Sequence, residues 1–284
     1  MKKIVTIVGA RPQFIKAAAV SRIIRKTEGI QEILIHTGQH FDNTMSAVFF
    51  QEMDIPVPDY NLEVNSLTHG AMTGRMIEKI EAVLIAEKPD WVMVYGDTNS
   101  TLAGALAARK LDIRVAHVES GLRSFNMKMP EEINRVLADR ISDVLFCPTE
   151  YAVQNLHKEG FDNFGCQILQ VGDVMYDAAL YYGSMSSGYS DIISSLGLKK
   201  NGFIVCTVHR QENTDNLENL RSIISALNEI NRDIPVVFFI LLFLPLNAWV
   251  LYRKNRDKWF LLLSLWIVFI PICLNNHRYQ EAYQ

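Results

Sequence analysis

Apolar residues follow two rhythms along this chain. Short β-branched runs at residues 4–8, 32–36, 91–95, 114–118, 144–147 and 203–208 have the length and composition of strands buried on both faces. Longer amphipathic stretches lie between and after them, at residues 12–26, 74–87, 100–110, 131–141 and 217–230. This alternation predicts an α/β protein with an open, doubly wound sheet. The Tyr-, Gly- and Ser-rich segment 181–190 is expected to be a connection. It would separate a first domain over residues 1–180 from a second that opens at residues 196–237.

Beyond Pro235 the rhythm is lost. Residues 238–252 and 259–274 are nearly continuous apolar runs around the polar segment Arg253-Lys254-Asn255-Arg256-Asp257-Lys258. Of the 15 glycines, none lies beyond residue 202, so residues 238–284 lack the tight strand-to-helix turns of a nucleotide-binding half. Three readings stand for this tail. A frame disturbance near residue 238 explains the change of character. A membrane hairpin is the second reading, although each run falls short of the roughly 18–20 apolar residues that span a bilayer. A pair of buried helices is the third, against which stands the absence of a polar face.

Composition narrows the function. With 284 residues and a formal net charge of −3, the chain has no basic block suited to nucleic acid, and a small or phosphorylated ligand is expected. Cys147, Cys166, Cys206 and Cys273 form no C-x-x-C pair and point to a reduced, cytoplasmic protein. The first nine residues begin like a secretory leader. Their apolar stretch is short and runs directly into Arg11-Pro12, so they are expected to form the first strand.

Four constellations carry candidate chemistry. Gly9-Ala10-Arg11-Pro12 ends a strand and opens a helix, with Arg11 and Lys16 beside free helix N–H groups. It is either a phosphate site or a tight turn with solvated cations. Asp97, after the strand at 91–95, falls where open α/β sheets bind ligands. It could instead cap the next helix, but Thr98 and Ser100 would cap equally well. His117 and Glu119 share a strand face, and a carboxylate there followed by Gly121 and Arg123 is costly to bury for stability alone. Glu131 and Glu132 either complement a helix dipole or bring a third carboxylate to the same cleft. Crowded, buried carboxylates have pKa values raised toward neutrality, as proton abstraction and return require. His209 and Arg210, at the end of the run 203–208, could face a phosphate or leaving group.

Together with His36-Thr37-Gly38-Gln39-His40 and Met129-Pro130-Glu131-Glu132-Ile133-Asn134-Arg135, these stretches resemble the non-hydrolysing UDP-N-acetylglucosamine 2-epimerase family. The similarity runs from Lys3 to about Val237. It implies two Rossmann-like domains of GT-B type, the second incomplete here because the family's later uridine- and diphosphate-holding motifs are missing. It further implies C2 proton loss with anti-elimination of UDP, re-addition of UDP with the proton returned to the opposite face, and no metal or nicotinamide cofactor. By motif, Asp97, Glu119, Glu131 and His209 match the catalytic residues. Arg11 matches a residue lining the UDP cleft, and Gln39 and His40 match the region where some members bind a second UDP-sugar. Lys16, Arg123, Arg135 and Arg210 are the remaining substrate-binding candidates. A homodimer and a role in surface-polysaccharide precursor synthesis are what the resemblance suggests. Phe125-Asn126-Met127-Lys128-Met129-Pro130 and residues 172–177 look more like the branch acting on UDP-2,3-diacetamido-2,3-dideoxyglucuronate.

Overall fold

A computed structural model of the chain describes residues 1–39, 56–189, 191–208, 213 and 215–240. His40, His209, Arg210 and the tail beyond residue 240 lie outside them. The chain divides into two compact units, Met1–Ala178 and Ala179–Gln284.

The first unit is built on seven parallel strands: β1 (Lys2–Val8), β2 (Ile30–His36), β3 (Tyr60–Asn61), β4 (Trp91–Tyr95), β5 (Arg114–Val118), β6 (Val144–Cys147) and β7 (Gln167–Gln170). Their order is β3-β2-β1-β4-β5-β6-β7. Five helices of this unit are α1 (Arg11–Ile24), α2 (His69–Glu87), α3 (Asn99–Lys110), α4 (Pro130–Ile141) and α5 (Glu150–Lys158). Val5, Ile7, Val92, Val94 and Val115 are fully buried in the sheet, as β-branched residues in a doubly covered parallel sheet should be. Ala103, Ala105, Ala107 and Ala108 of α3 pack against them. The small side chains bring that helix close to the sheet.

Two features of the sheet position the site. The strand order reverses between β1 and β4, which opens a crevice at their carboxyl ends. The register pairs Val94 with His117 and Tyr95 with Val118, so β4 and β5 leave the sheet level with one another. The residues after them, Gly96-Asp97 and Glu119, therefore emerge side by side.

In the second unit, β8 (Ile204–Val208) and β9 (Val236–Ile240) pair in parallel, with α8 (Leu217–Ile230) between them in sequence. The expected connection at 181–190 is instead largely helical: α6 (Val174–Tyr189) runs through Gly183 and Gly188. A helical glycine costs only about 1 kcal/mol, and burial of Ala178, Ala179 and Tyr182 along this helix outweighs it. A short helix, α7 (Ile192–Ser195), follows. β3 and β7 stand at the sheet's edges. The Gln-Ile-Leu-Gln of β7, three of its four residues exposed, lacks the apolar run that marks a central strand. β9 takes in residues 238–240, the start of the apolar run, as a strand. Among the described residues no helix is long and apolar enough to cross a membrane.

Candidate active site

The turn after β1 is fixed by Gln13, a buried residue in the first turn of α1. Its Oε1 accepts the backbone N–H groups of Gly9 and Ala10 at 2.8 and 3.0 Å. Its Nε2 donates to the Tyr95 carbonyl at 2.7 Å and to Thr101 Oγ1 at 3.0 Å. One amide thus ties β1 to β4 across the strand-order reversal. The sequence marked Arg11 and Lys16 here and passed over Gln13. The signal was its place three residues after the helix cap, where a Gln side chain reaches back to the cap N–H. Arg11 is the first residue of α1 and half-buried.

Lys16 projects from α1 to form a part-buried ion pair with Glu119 Oε2. Glu119 sits in the left-handed region at φ 69°, a conformation that costs a non-glycine residue about 1 kcal/mol or more and persists only where the surroundings impose it. Gly96, also left-handed at φ 60°, lies against this pair: a Cβ there would stand 3.1 Å from Glu119 Oε2 and 3.4 Å from Lys16 Nζ. Asp97 pairs with Arg135 of α4, and Asn134 Nδ2 donates to the Asp97 carbonyl at 3.0 Å. Thr98, not Asp97, caps α3, its side chain accepting the Thr101 N–H. The Asp97 carboxylate is therefore not consumed by capping.

The two glutamates that open α4 part company. Glu131 is exposed, and among the described residues its carboxylate has no hydrogen bond or ion pair. Glu132 is buried and accepts from Ser124 N, Ser124 Oγ and Phe125 N, each at 2.9 Å. Burial pushes its carboxyl upward, but these donors and Arg135, 3.2 Å away, leave it below the usual range.

The Arg123 side chain turns inward. Its buried guanidinium holds Glu159 through two bonds at 2.7 and 2.8 Å, Asp139 at 2.7 Å and the Leu122 carbonyl at 2.8 Å. These bonds tie the substrate-binding candidate Arg123 to the protein interior. Burial opposes the charge, yet Glu159 and Asp139 raise the guanidinium pKa. Gln39 follows β2 and accepts from Ser100 Oγ at 2.9 Å and Ser100 N at 3.3 Å, which links it to the N-terminus of α3. A residue the sequence did not mark, His69 at the start of α2, lies 3.1 Å from Asn99 Nδ2 through its Nδ1. Asn134 Nδ2, which binds the Asp97 carbonyl, also contacts Asn99 at 3.3 Å, so His69 joins the Asp97 network. Among the described residues no group of His, Cys, Asp and Glu could hold a metal.

Lys16, Asp97, Glu119 and Arg135 thus meet at the carboxyl ends of β1, β4 and β5, with Glu131 on the adjoining α4. Two carboxylates held beside two cations can hold and move protons next to a site that favours anions. This defines a Rossmann-like α/β protein with a paired-carboxylate site at the reversal of its sheet. The chain belongs to the UDP-N-acetylglucosamine 2-epimerase family, whose profile matches residues 22–247. It is 56% identical over 237 residues to the UDP-2,3-diacetamido-2,3-dideoxy-D-glucuronate 2-epimerase of Pseudomonas aeruginosa, covering 83% of this chain and 65% of that one. It is also 56% identical over 233 residues to a UDP-N-acetylglucosamine 2-epimerase homolog of Methanococcus maripaludis, covering 82% and 64%. The crystal structure of the Methanocaldococcus jannaschii UDP-GlcNAc 2-epimerase in complex with UDP-GlcNAc and UDP is similar, with a TM-score of 0.72 and 42% identity. That match covers 91% of this chain and 72% of that chain. The chain spans less than two thirds of the length of the two curated relatives.

Proposed function

We propose that this chain carries the proton-transfer half of a UDP-sugar 2-epimerase, an isomerase that inverts C2 of a UDP-2-acetamido sugar. The observation that carries the reading is the placement of Asp97 and Glu119 on adjacent strand ends, each paired with a cation, inside a family of that activity. One carboxylate takes the C2 proton as the C1–O bond to UDP breaks and a C1=C2 double bond forms. UDP then returns to C1 as a proton is delivered to the other face of C2. The step needs a positioned base and a stabilised leaving diphosphate. Lys16, Arg11 and Arg135 supply cationic charge for the diphosphate, and Glu131 is the candidate acid or base on the third side. His209 and Arg210 are assigned to the leaving group, and Gln39 and His40 to a second UDP-sugar. No metal or nicotinamide enters this scheme.

In this reading residues 1–180 form the first Rossmann-like domain, 196–237 open the UDP-binding domain, and 238–284 form an aberrant hydrophobic tail. We assign the protein to the cytoplasm as a homodimer feeding surface-polysaccharide synthesis. Two substrates remain in view, UDP-N-acetylglucosamine and UDP-2,3-diacetamido-2,3-dideoxyglucuronate. The first is the main reading, and the second is its alternative, supported by the 56% identity to the Pseudomonas enzyme, which the Methanococcus maripaludis homolog equals. Incubation with each sugar in D2O tests the reading, with NMR following deuterium at C2 and appearance of the epimer. Exchange with one sugar supports it and selects the substrate. No exchange with either, while UDP is bound, would reject it for this chain.

A further inference from the structure

His117 belongs to none of the roles assigned so far, yet its ring is fully buried at the centre of the site. Its Nε2 lies 2.7 Å from the Gly96 carbonyl, and its Nδ1 lies 2.6 Å from Asp139 Oδ1. A carbonyl oxygen only accepts, so Nε2 carries a proton. Asp139 already accepts the Gly121 N–H at 3.1 Å and Arg123 at 2.7 Å through Oδ2, the bonding of an ionised carboxylate. Burial alone would raise its carboxyl, but the imidazole and guanidinium beside it bring it below the usual range. With acceptors on both sides, both ring nitrogens donate.

The connections of this pair are specific to the site. The two oxygens of Asp139 hold His117 and Gly121, the residues two before and two after the left-handed Glu119. The other nitrogen of His117 holds the carbonyl of Gly96, next to Asp97, while the Gly96 N–H donates to the Val118 carbonyl at 2.9 Å. Arg123 and Glu159 continue the chain of charges, so each buried charge has an opposite neighbour. We propose that His117, held as an imidazolium by Asp139, is a positioning residue that sets the spacing of the Asp97 and Glu119 carboxylates. The catalytic meaning of this role rests on the epimerase reading; the double protonation and the clamp on Gly96 do not.

The test uses the full chain with 15N-labelled histidine, and the variants Asp139→Asn and His117→Phe. The first keeps the side chain's shape, and its amide can turn the oxygen to Gly121 and Arg123 and the nitrogen to His117 Nδ1. It should leave His117 neutral, with its Nε2–H still on Gly96. The second keeps the bulk of the ring, removes both bonds and identifies the His117 resonance by its loss. In the wild type at neutral pH both ring nitrogens of His117 should carry protons, and in Asp139→Asn only one. Amide hydrogen exchange at Gly96 should quicken in His117→Phe. Turnover by that variant should fall about 100-fold, the scale of a misplaced catalytic group, with KM changed less than about threefold. Should His117→Phe fail to fold, kcat of Asp139→Asn is read instead, and a fall of at least about tenfold with KM held is expected. A singly protonated ring in the wild type, or kcat unchanged in the folded variants, overturns the proposal. If the wild type does not turn over, the epimerase reading fails by itself. The ring protons and Gly96 exchange then decide the clamp: a neutral ring or unchanged exchange rejects it.

Discussion

Single positions in this site are constrained by what adjoins them more than by their own chemistry. Gly96 combines a left-handed backbone with a face turned to the Lys16–Glu119 pair. Gly96→Ala adds strain of about 1–2 kcal/mol and a methyl group 3.1 Å from Glu119 Oε2. The atoms it meets are the ends of side chains, so the variant should fold while the carboxylate shifts. A melting point lowered by a few degrees, with C2 exchange reduced more than about tenfold, is expected from calorimetry and NMR. Wild-type exchange would show that Glu119 does not act from this position. At this scale the sequence was informative where charge was unusual. A carboxylate ending an apolar strand draws notice, and the placement of Asp97 and Glu119 at neighbouring strand ends was legible for that reason. Gln13 and His69 were not, because an amide or imidazole gains meaning only from the atoms facing it. The inward bonds of Arg123 were hidden for the same reason: its partners Asp139 and Glu159 lie 16 and 36 residues away.

At the scale of elements, α4 joins the candidate site to stability. Its first turns present Glu131 to solvent, fold Glu132 back onto Ser124 and Phe125, and send Arg135 to Asp97. Glu132→Gln would set an amide donor against backbone donors, and a loss of about 1–3 kcal/mol in denaturant unfolding at pH 7 is expected. Glu132 and Asp139 both have folded carboxyl pKa values below their unfolded ones. The stability each contributes is therefore present above the unfolded value near pH 4, and lost as pH falls through the lower folded value. The gap between wild type and Glu132→Gln should accordingly close as unfolding is measured from pH 5 to pH 2. A gap that stays constant would locate the effect in packing rather than charge. Gly121 is another strict position, left-handed at φ 77° with no room for a methyl group. A Cβ there would lie 2.4 Å from the Ala152 carbonyl oxygen of α5. Gly121→Ala must push backbone apart, and loss of more than about 2 kcal/mol, or of soluble protein, is expected. Central strands and long helices were legible because their apolar periodicity is strong. The edge strand β7 and the continuation of α6 through Gly183 were not, because exposure and tertiary burial override local signals there.

Across the whole molecule the described parts of the two units differ in how much they bury. The first has a seven-stranded sheet whose central strands are sealed by helices, and fully buried side chains are numerous in it. The described part of the second has a two-stranded sheet, and its helix α8 contains no buried residue. Leu220, Ile224 and Leu227 of that helix recur at the spacing of a single apolar face, yet each stays half-exposed. A two-stranded sheet with one such helix is, by itself, marginal in water. The amides of β8 and α8 should therefore exchange through local opening, at least about 100-fold faster than those of β4 and β5, which open only with the sheet. Hydrogen–deuterium exchange read by mass spectrometry separates these peptides directly. Equal protection would mean that the face of α8 is covered, within the same chain or by another copy, and dilution distinguishes the two. Cover by another copy is lost as the protein is diluted, whereas cover from within the chain persists.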